Sequence, residues 1–175
     1  MNWPNRLSIL RILCIPVLVL LLSMTGESYR WAAVAVFALA SLTDFLDGYL
    51  ARKNNWITVF GKFIDPVADK LLVLSTLIML SSLSLIPAWM VILILARELS
   101  VDGLRLVAIS KGKVIAAGPL GKIKTTSQMI LILLILILQI PVFSFPVGLI
   151  LGIWVCTITL WSGLDYFMKN REILR

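Results

Sequence analysis

The feature that most constrains the fold is a series of long apolar runs that recur along almost the whole chain. Most of them approach the ~20 residues that an α-helix needs to cross a hydrocarbon layer of about 30 Å. Hydrophobic residues make up 60% of the 175 residues, well above the usual share in soluble domains. The sequence therefore predicts an all-α integral membrane protein with six transmembrane helices, in a single domain spanning residues 1–175. The runs are Leu7–Met24, Trp31–Leu50, Pro66–Leu85, Ala88–Ile109, Thr125–Ile140 and Val142–Met168.

The distribution of positive charge predicts the orientation of these helices. Of the 16 Lys and Arg residues, only Arg30 lies near the predicted loops between helices one and two, three and four, or five and six. Because cytoplasmic loops are enriched in Lys and Arg, we expect both termini and the segments 44–69 and 105–124 in the cytoplasm. The net charge of +7 indicates anionic membrane lipids and phosphorylated substrates as partners. Nucleic acid is not expected, because no soluble basic face remains to bind it.

Four aspartates interrupt the apolar sequence between predicted helices two and three. They belong to the pattern Asp44-x2-Asp47-Gly48-x2-Ala51-Arg52-x8-Gly61-x3-Asp65-x3-Asp69. On helix two, the aspartates and the small residues beside them share one stripe about 100° wide. On helix three, the glycine and the two aspartates recur every fourth residue. Such carboxylates beside membrane-length apolar runs are costly unless cations neutralise them.

The types of residue in this pattern indicate a metal site. All-oxygen, carboxylate-rich sites suit hard cations such as Mg²⁺ or Mn²⁺, and four negative charges match two divalent ions. Two-metal sites are typical of phosphoryl chemistry, where they clamp the oxygens of a reacting phosphate. The chain has no histidine, so proton transfer near neutral pH must fall to a carboxylate or another tuned group. The pattern favours an enzyme, and the spacing alone does not distinguish Asp65 from Asp69 as its base.

The aspartate pattern resembles the signature of the CDP-alcohol phosphatidyltransferase family, with every defining position present. The resemblance implies a homodimeric six-helix fold of the bacterial plasma membrane, in which two divalent metals hold the pyrophosphate of a CDP-linked donor. An acceptor alcohol attacks the phosphate attached to the lipid, and CMP leaves. By that resemblance, Asp69 is both a metal ligand and the general base. The remaining metal ligands that it implies are Asp44, Asp47 and Asp65.

The resemblance also implies a binding site for the donor, CDP-diacylglycerol. The segment from Pro4 to Pro16 resembles the family's opening run, Pro-Asn-x-Leu-Thr-x2-Arg-x4-Pro, with a serine in place of the usual threonine. The donor-binding residues expected from the two motifs are Asn5, Ser8, Asp47, Gly48, Ala51, Arg52 and Gly61.

Two further segments, 96–105 and 116–125, resemble the members of the family whose acceptor is sn-glycerol 3-phosphate. A doubly charged phosphate needs cations, and Arg105 and Lys122 are the predicted ligands of the acceptor phosphate. Arg97 is the next candidate, and it can equally pair with Asp44. For Lys124 a contact with a lipid headgroup is at least as good an interpretation.

Alternative functions remain open at this point. The acceptor can be another alcohol, such as inositol phosphate, serine or a second phosphatidylglycerol. A different class of protein, an ion-coupled membrane transporter, also places aspartates within membrane helices. Transporters commonly need polar groups in both halves of the membrane, whereas predicted helices three, five and six have almost none in their outer halves.

Overall fold

The computed structural model describes the backbone of residues 3–54, 59–113, 115 and 118–174, and the side chains of residues 7–43, 64, 67–113, 115 and 118–173. Over these residues the fold is all-α, without a β-strand. The helices are α1 (Trp3–Ser23), α2 (Glu27–Asn54), α3 (Val59–Ser82), α4 (Ala88–Ser110), α5 (Pro119–Leu138) and α6 (Pro146–Lys169). Two short 3-10 turns follow α5 and α6, at Val142–Ser144 and Arg171–Leu174.

The helices follow the order of the predicted apolar runs, but five of the six begin four to seven residues away from the predicted start, whereas α4 begins at Ala88 as predicted. Helix α5 begins at Pro119, six residues before the predicted start, because proline is well suited to the first turn of a helix. Its first turns therefore contain Lys122 and Lys124. The predicted start of the last helix at Val142 is wrong, because residues 142–144 form a 3-10 turn and α6 begins at Pro146.

The six helices pack around one large apolar core. Helix α1 packs against α2 and α3, and α3 also contacts α4 and α5. Helix α6 packs against α5 and α4, and α2 contacts α5. Every helix contributes fully buried side chains to this core, among them Leu18, Phe37, Leu77, Ile94, Ile135 and Val155. Helix α3 thus contacts α1, α4 and α5, which brings polar side chains of these four helices together.

Large apolar side chains also cover the outside of all six helices. Leu20 of α1 is 61% exposed, Ile92 of α4 64% and Ile150 of α6 67%. Among the described residues, α5 and α6 are long and apolar enough to cross a membrane, whereas the apolar part of α1, Leu7–Ser23, is shorter. The prediction of six membrane spans therefore stays a prediction.

Candidate active site

The aspartate motif lies on two helices, as its spacing predicts. Residues 44–52 belong to the last part of α2, and residues 61–69 belong to the first part of α3. The side chains of six predicted site residues lie outside the part that the structure describes: Asn5, Asp44, Asp47, Ala51, Arg52 and Asp65. The surroundings of Gly48 and Gly61 lie outside it as well. Helical spacing also allows the stripes on α2 and α3 to face each other, and this expectation falls on the same residues and stays a prediction.

Asp69 is the aspartate of the motif whose side chain the structure describes. One of its carboxylate oxygens, Oδ1, accepts a hydrogen bond of 2.5 Å from Nη1 of Arg11 on α1. The two side chains differ sharply in burial, since that of Arg11 is 1% exposed and that of Asp69 is 30% exposed. Ser8, which was predicted to bind CDP-diacylglycerol, is also buried and lies one turn before Arg11 on α1. The opening segment of the chain thus packs directly against the end of the aspartate motif.

The residue after Asp69 joins a second group of charges, which we call the ionic cluster. Its members are Lys70 of α3, Arg97, Glu98 and Asp102 of α4, and Lys124 of α5. Lys70 Nζ pairs with the carboxylate of Asp102 and lies 4.0 Å from Glu98 Oε2. Glu98 also accepts hydrogen bonds from Lys124 and, at 3.4 Å, from Nη1 of Arg97. One buried carboxylate therefore holds cations from three helices.

The contacts within the ionic cluster show which faces of α4 and α5 carry their charged residues. Glu98 and Asp102, four positions apart on α4, lie on one face of that helix, because Lys70 contacts both. Lys124 is 4% exposed in its side chain and pairs with Glu98, so its main contact is with α4. Lys122 is exposed and makes no ion pair with the residues whose side chains are described. The two lysines do lie on different faces of α5.

Arg105 lies one turn beyond Asp102 and is oriented by an aromatic residue of α6. Its Nε donates a hydrogen bond of 3.0 Å to the hydroxyl of Tyr166, and its guanidinium carbon lies 5.5 Å from the centre of that ring. Arg97 packs closely on α6 as well, since a Cβ added to Gly163 would lie 3.1 Å from Arg97 Cγ. Helix α6 therefore fixes the stems of both arginines that were predicted to bind the acceptor.

The balance of charge in this region suits a dianion. The ionic cluster together with Arg105 contains four cations and two carboxylates, a net charge of +2. Buried ionic groups need opposite charges nearby, and among the described side chains of this region the two carboxylates compensate half of the four cations. A phosphate monoester, with two negative charges and several acceptor oxygens, has the charge and hydrogen-bonding capacity to complete the balance.

The donor atoms of the aspartate motif fit a hard divalent cation. The carboxylate of Asp69 is partly exposed, and the other three aspartates occupy helical positions on α2 and α3. Oxygen ligands of this kind suit Mg²⁺ or Mn²⁺. Among the side chains that the structure describes, no three carboxylate or thiol groups are close enough to hold a metal ion.

Three residues that the structure places at the site were not predicted to lie there: Arg11, Lys70 and Lys124. Arg11 was part of the opening motif, and its position two residues before the middle of the apolar helix α1 was a signal of a buried charge with a partner. Lys70 directly follows Asp69, and Lys124 directly precedes Thr125, the predicted start of helix five. Their partners lie on other helices, so sequence spacing could not reveal them.

Comparison with known proteins agrees with this geometry. The family model for CDP-alcohol phosphatidyltransferase matches residues 1–161, which shows that the chain belongs to this family of membrane-lipid transferases. Its relatives carry a more specific name. A protein of Bacillus subtilis named CDP-diacylglycerol--glycerol-3-phosphate 3-phosphatidyltransferase is 45% identical over 99% of this chain and 97% of its own length. A protein of the same name from Rickettsia typhi is 43% identical, with 95% of each chain covered. A probable phosphatidylglycerophosphate synthase of Mycobacterium tuberculosis is 42% identical over 96% of this chain and 81% of its own length.

Proposed function

We propose that this chain transfers the phosphatidyl group of CDP-diacylglycerol to sn-glycerol 3-phosphate, giving phosphatidylglycerophosphate and CMP. The observation that carries the proposal is the position of Lys70, which follows Asp69 on α3 and belongs to the ionic cluster. The carboxylate of Asp69, proposed to accept the proton of the acceptor hydroxyl, thus directly precedes Lys70 on α3. Lys70 belongs to the cations that lie beside the proposed site of the acceptor phosphate. The names of the relatives in Bacillus subtilis and Rickettsia typhi state the same donor and acceptor.

The donor is held by the aspartate motif and by the start of α1. The metal ligands proposed are Asp44, Asp47, Asp65 and Asp69, which together would bind two divalent ions, Mg²⁺ or Mn²⁺. When bound, such ions neutralise the carboxylates and polarise the phosphate oxygens of the donor. The cytidine nucleotide is assigned to Asn5, Ser8, Asp47, Gly48, Ala51, Arg52 and Gly61. Support for this assignment comes from the match to the family over residues 1–161 and from the helical backbone at each of these positions.

The chemical step requires one base and one leaving group. Asp69 takes the proton from the acceptor hydroxyl, whose oxygen then forms a bond to the phosphorus that bears the diacylglycerol. The bond between this phosphorus and the bridging oxygen of the pyrophosphate breaks, and CMP departs with the electron pair. Asp69 suits this role because its carboxylate is 30% exposed, which leaves it accessible to a substrate.

The acceptor phosphate is assigned to Arg105, Arg97 and Lys122, with the ionic cluster beside them. Tyr166 binds Nε of Arg105, so the two terminal nitrogens of the guanidinium are oriented away from that contact. A fork of this kind binds phosphate oxygens in pairs. Lys122 is exposed on α5 and can add a point charge, while Lys124 stays paired with Glu98.

The decisive experiment is an assay of CMP release. Protein purified in detergent is incubated with CDP-diacylglycerol, Mg²⁺ and either sn-glycerol 3-phosphate, serine, inositol phosphate or phosphatidylglycerol. We expect CMP and a phosphorylated lipid product with sn-glycerol 3-phosphate alone. Release with another acceptor in its place would refute the acceptor assignment, and no release with any acceptor would refute the transfer reaction. The family match favours transfer chemistry over the alternative of an ion-coupled transporter.

The same proposal places the chain in the bacterial plasma membrane as a single multi-pass domain of residues 1–175, with both termini cytoplasmic, anionic lipids around it and a second copy as its partner. The apolar side chains exposed on all six helices support a lipid environment, since water-facing surfaces of this kind are rare. Reporters fused to each terminus test the orientation, because alkaline phosphatase is active only outside the cytoplasm. Light scattering of the protein in detergent tests the homodimer.

A further inference from the structure

The ion pair between Arg11 and Asp69 differs in burial from the pair of Lys124 and Glu98, which also joins two helices. In the pair of Lys124 and Glu98, both side chains are buried, with 4% and 9% exposed. In the pair of Arg11 and Asp69, the cation is 1% exposed and the carboxylate 30% exposed. The carboxylate of Asp69 is therefore accessible to a substrate, whereas the guanidinium of Arg11 that binds it is buried.

Because Arg11 is buried, its guanidinium group has little freedom to move. The residue is among the largest fully buried side chains and lies on α1, which packs closely against α3. Desolvation of a guanidinium costs several kcal/mol unless hydrogen bonds to an anion offset it, so the geometry of its contact with Asp69 is strongly constrained. The contact therefore also constrains the carboxylate of Asp69, which is the proposed base.

The side chain of an aspartate by itself only weakly constrains the orientation of its carboxylate. The torsion that turns its two oxygens is broad, because it joins a tetrahedral carbon to a planar group. A charge-assisted hydrogen bond from Arg11 Nη1 to Oδ1 fixes this torsion and with it the plane of the carboxylate. General-base catalysis depends on such placement, since a misplaced base loses rate even when the substrate still binds.

We propose that Arg11 is a positioning residue that fixes the carboxylate of Asp69 for proton transfer from the acceptor, an inference that rests on the proposed role of Asp69 as the base. Neither the donor nor the acceptor need contact Arg11 for this role. Its loss should therefore lower kcat and leave the KM values of both substrates nearly unchanged. A purely structural ion pair would instead change the amount of folded protein and leave kcat per folded molecule unchanged.

The test compares Arg11→Met, which removes the charge, with Arg11→Lys, which keeps it without the forked geometry. We expect kcat to fall at least tenfold in Arg11→Met and three- to tenfold in Arg11→Lys, with KM for donor and acceptor within threefold of the wild type. The matched control is Lys169→Met, which removes the cation of an exposed ion pair with Asp165 on α6. That variant should retain full kcat.

A second measurement separates the effect on catalysis from any loss of folded protein. It also makes the comparison independent of the identity of the acceptor. Rates are expressed per molecule that elutes as folded protein and binds CDP-diacylglycerol, and donor affinity is measured directly. CMP release is followed with whichever acceptor the wild-type chain uses, so an error in the acceptor assignment leaves the comparison intact. Full kcat in folded Arg11→Met or Arg11→Lys would overturn the proposal, as would an equal loss in Lys169→Met.

Discussion

Replacing Glu98 by glutamine measures how far the ionic cluster depends on one buried carboxylate. Glu98 is 7% exposed and contacts Lys124, Lys70 and Arg97, which come from three helices. Glutamine keeps the size of the side chain and removes its charge. The buried ammonium of Lys124 then has no adjacent counter-charge among the described residues, and three cations repel one another without their common partner.

The size of the effect follows from this burial. Removing one partner of a buried ion pair costs ~3–5 kcal/mol, because the other charge stays in an apolar environment. In a chain of this length each kcal/mol lowers the melting temperature by ~2–4 °C. We therefore expect Glu98→Gln to lower the apparent melting temperature in detergent by about 6–20 °C, when 3–5 kcal/mol is converted at that rate.

Thermal denaturation in a single detergent, followed by the loss of folded protein on size-exclusion chromatography, provides the assay. The control is Asp165→Asn, which breaks an exposed pair with Lys169 and should cost no more than about 1 kcal/mol. The double variant Glu98→Gln with Lys124→Met removes both charges and should recover at least half of the loss. A shift below 2 °C in Glu98→Gln, or no recovery in the double variant, would refute the reasoning.

Three further predictions concern catalysis. Asp69→Asn should abolish CMP release and keep donor affinity within threefold, since the amide cannot take a proton; intact turnover would exclude Asp69 as the base. Arg105→Ala should raise KM for sn-glycerol 3-phosphate at least tenfold with donor affinity unchanged, because it removes a charge-assisted contact made before the chemical step. Lys122→Met should raise that KM only two- to threefold, because this lysine is exposed; an effect as large as that of Arg105→Ala would contradict the assignment.

Much of the fold follows from local patterns in the sequence. Apolar runs of membrane length predict the six helices and their order, and helical periodicity predicts that Glu98 and Asp102 share a face. Both features depend on residues within one segment, where spacing determines direction. The start of α5 at Pro119 can also be predicted from the sequence, because Gly118 and Pro119 are typical of the beginning of a helix.

Contacts between helices could not be read in the same way. Arg11 and Asp69 are separated by 58 positions, and Lys124 and Glu98 by 26, so no local period relates them. The charge of Lys124 near a membrane surface favoured a headgroup contact in isolation. Its burial depends on how α5 packs beside α4, which tertiary structure determines and helix periodicity does not.

The adjacent residues Asp69 and Lys70 connect the two halves of the proposed site. Successive residues on a helix point about 100° apart, so Asp69 reaches α1 while Lys70 reaches α4. One peptide unit of α3 is thus held from both sides by ion pairs, through Arg11 and through Asp102. In the proposed mechanism, successive residues of α3 therefore supply the base and a cation beside the acceptor phosphate, even though different helices supply their ionic partners.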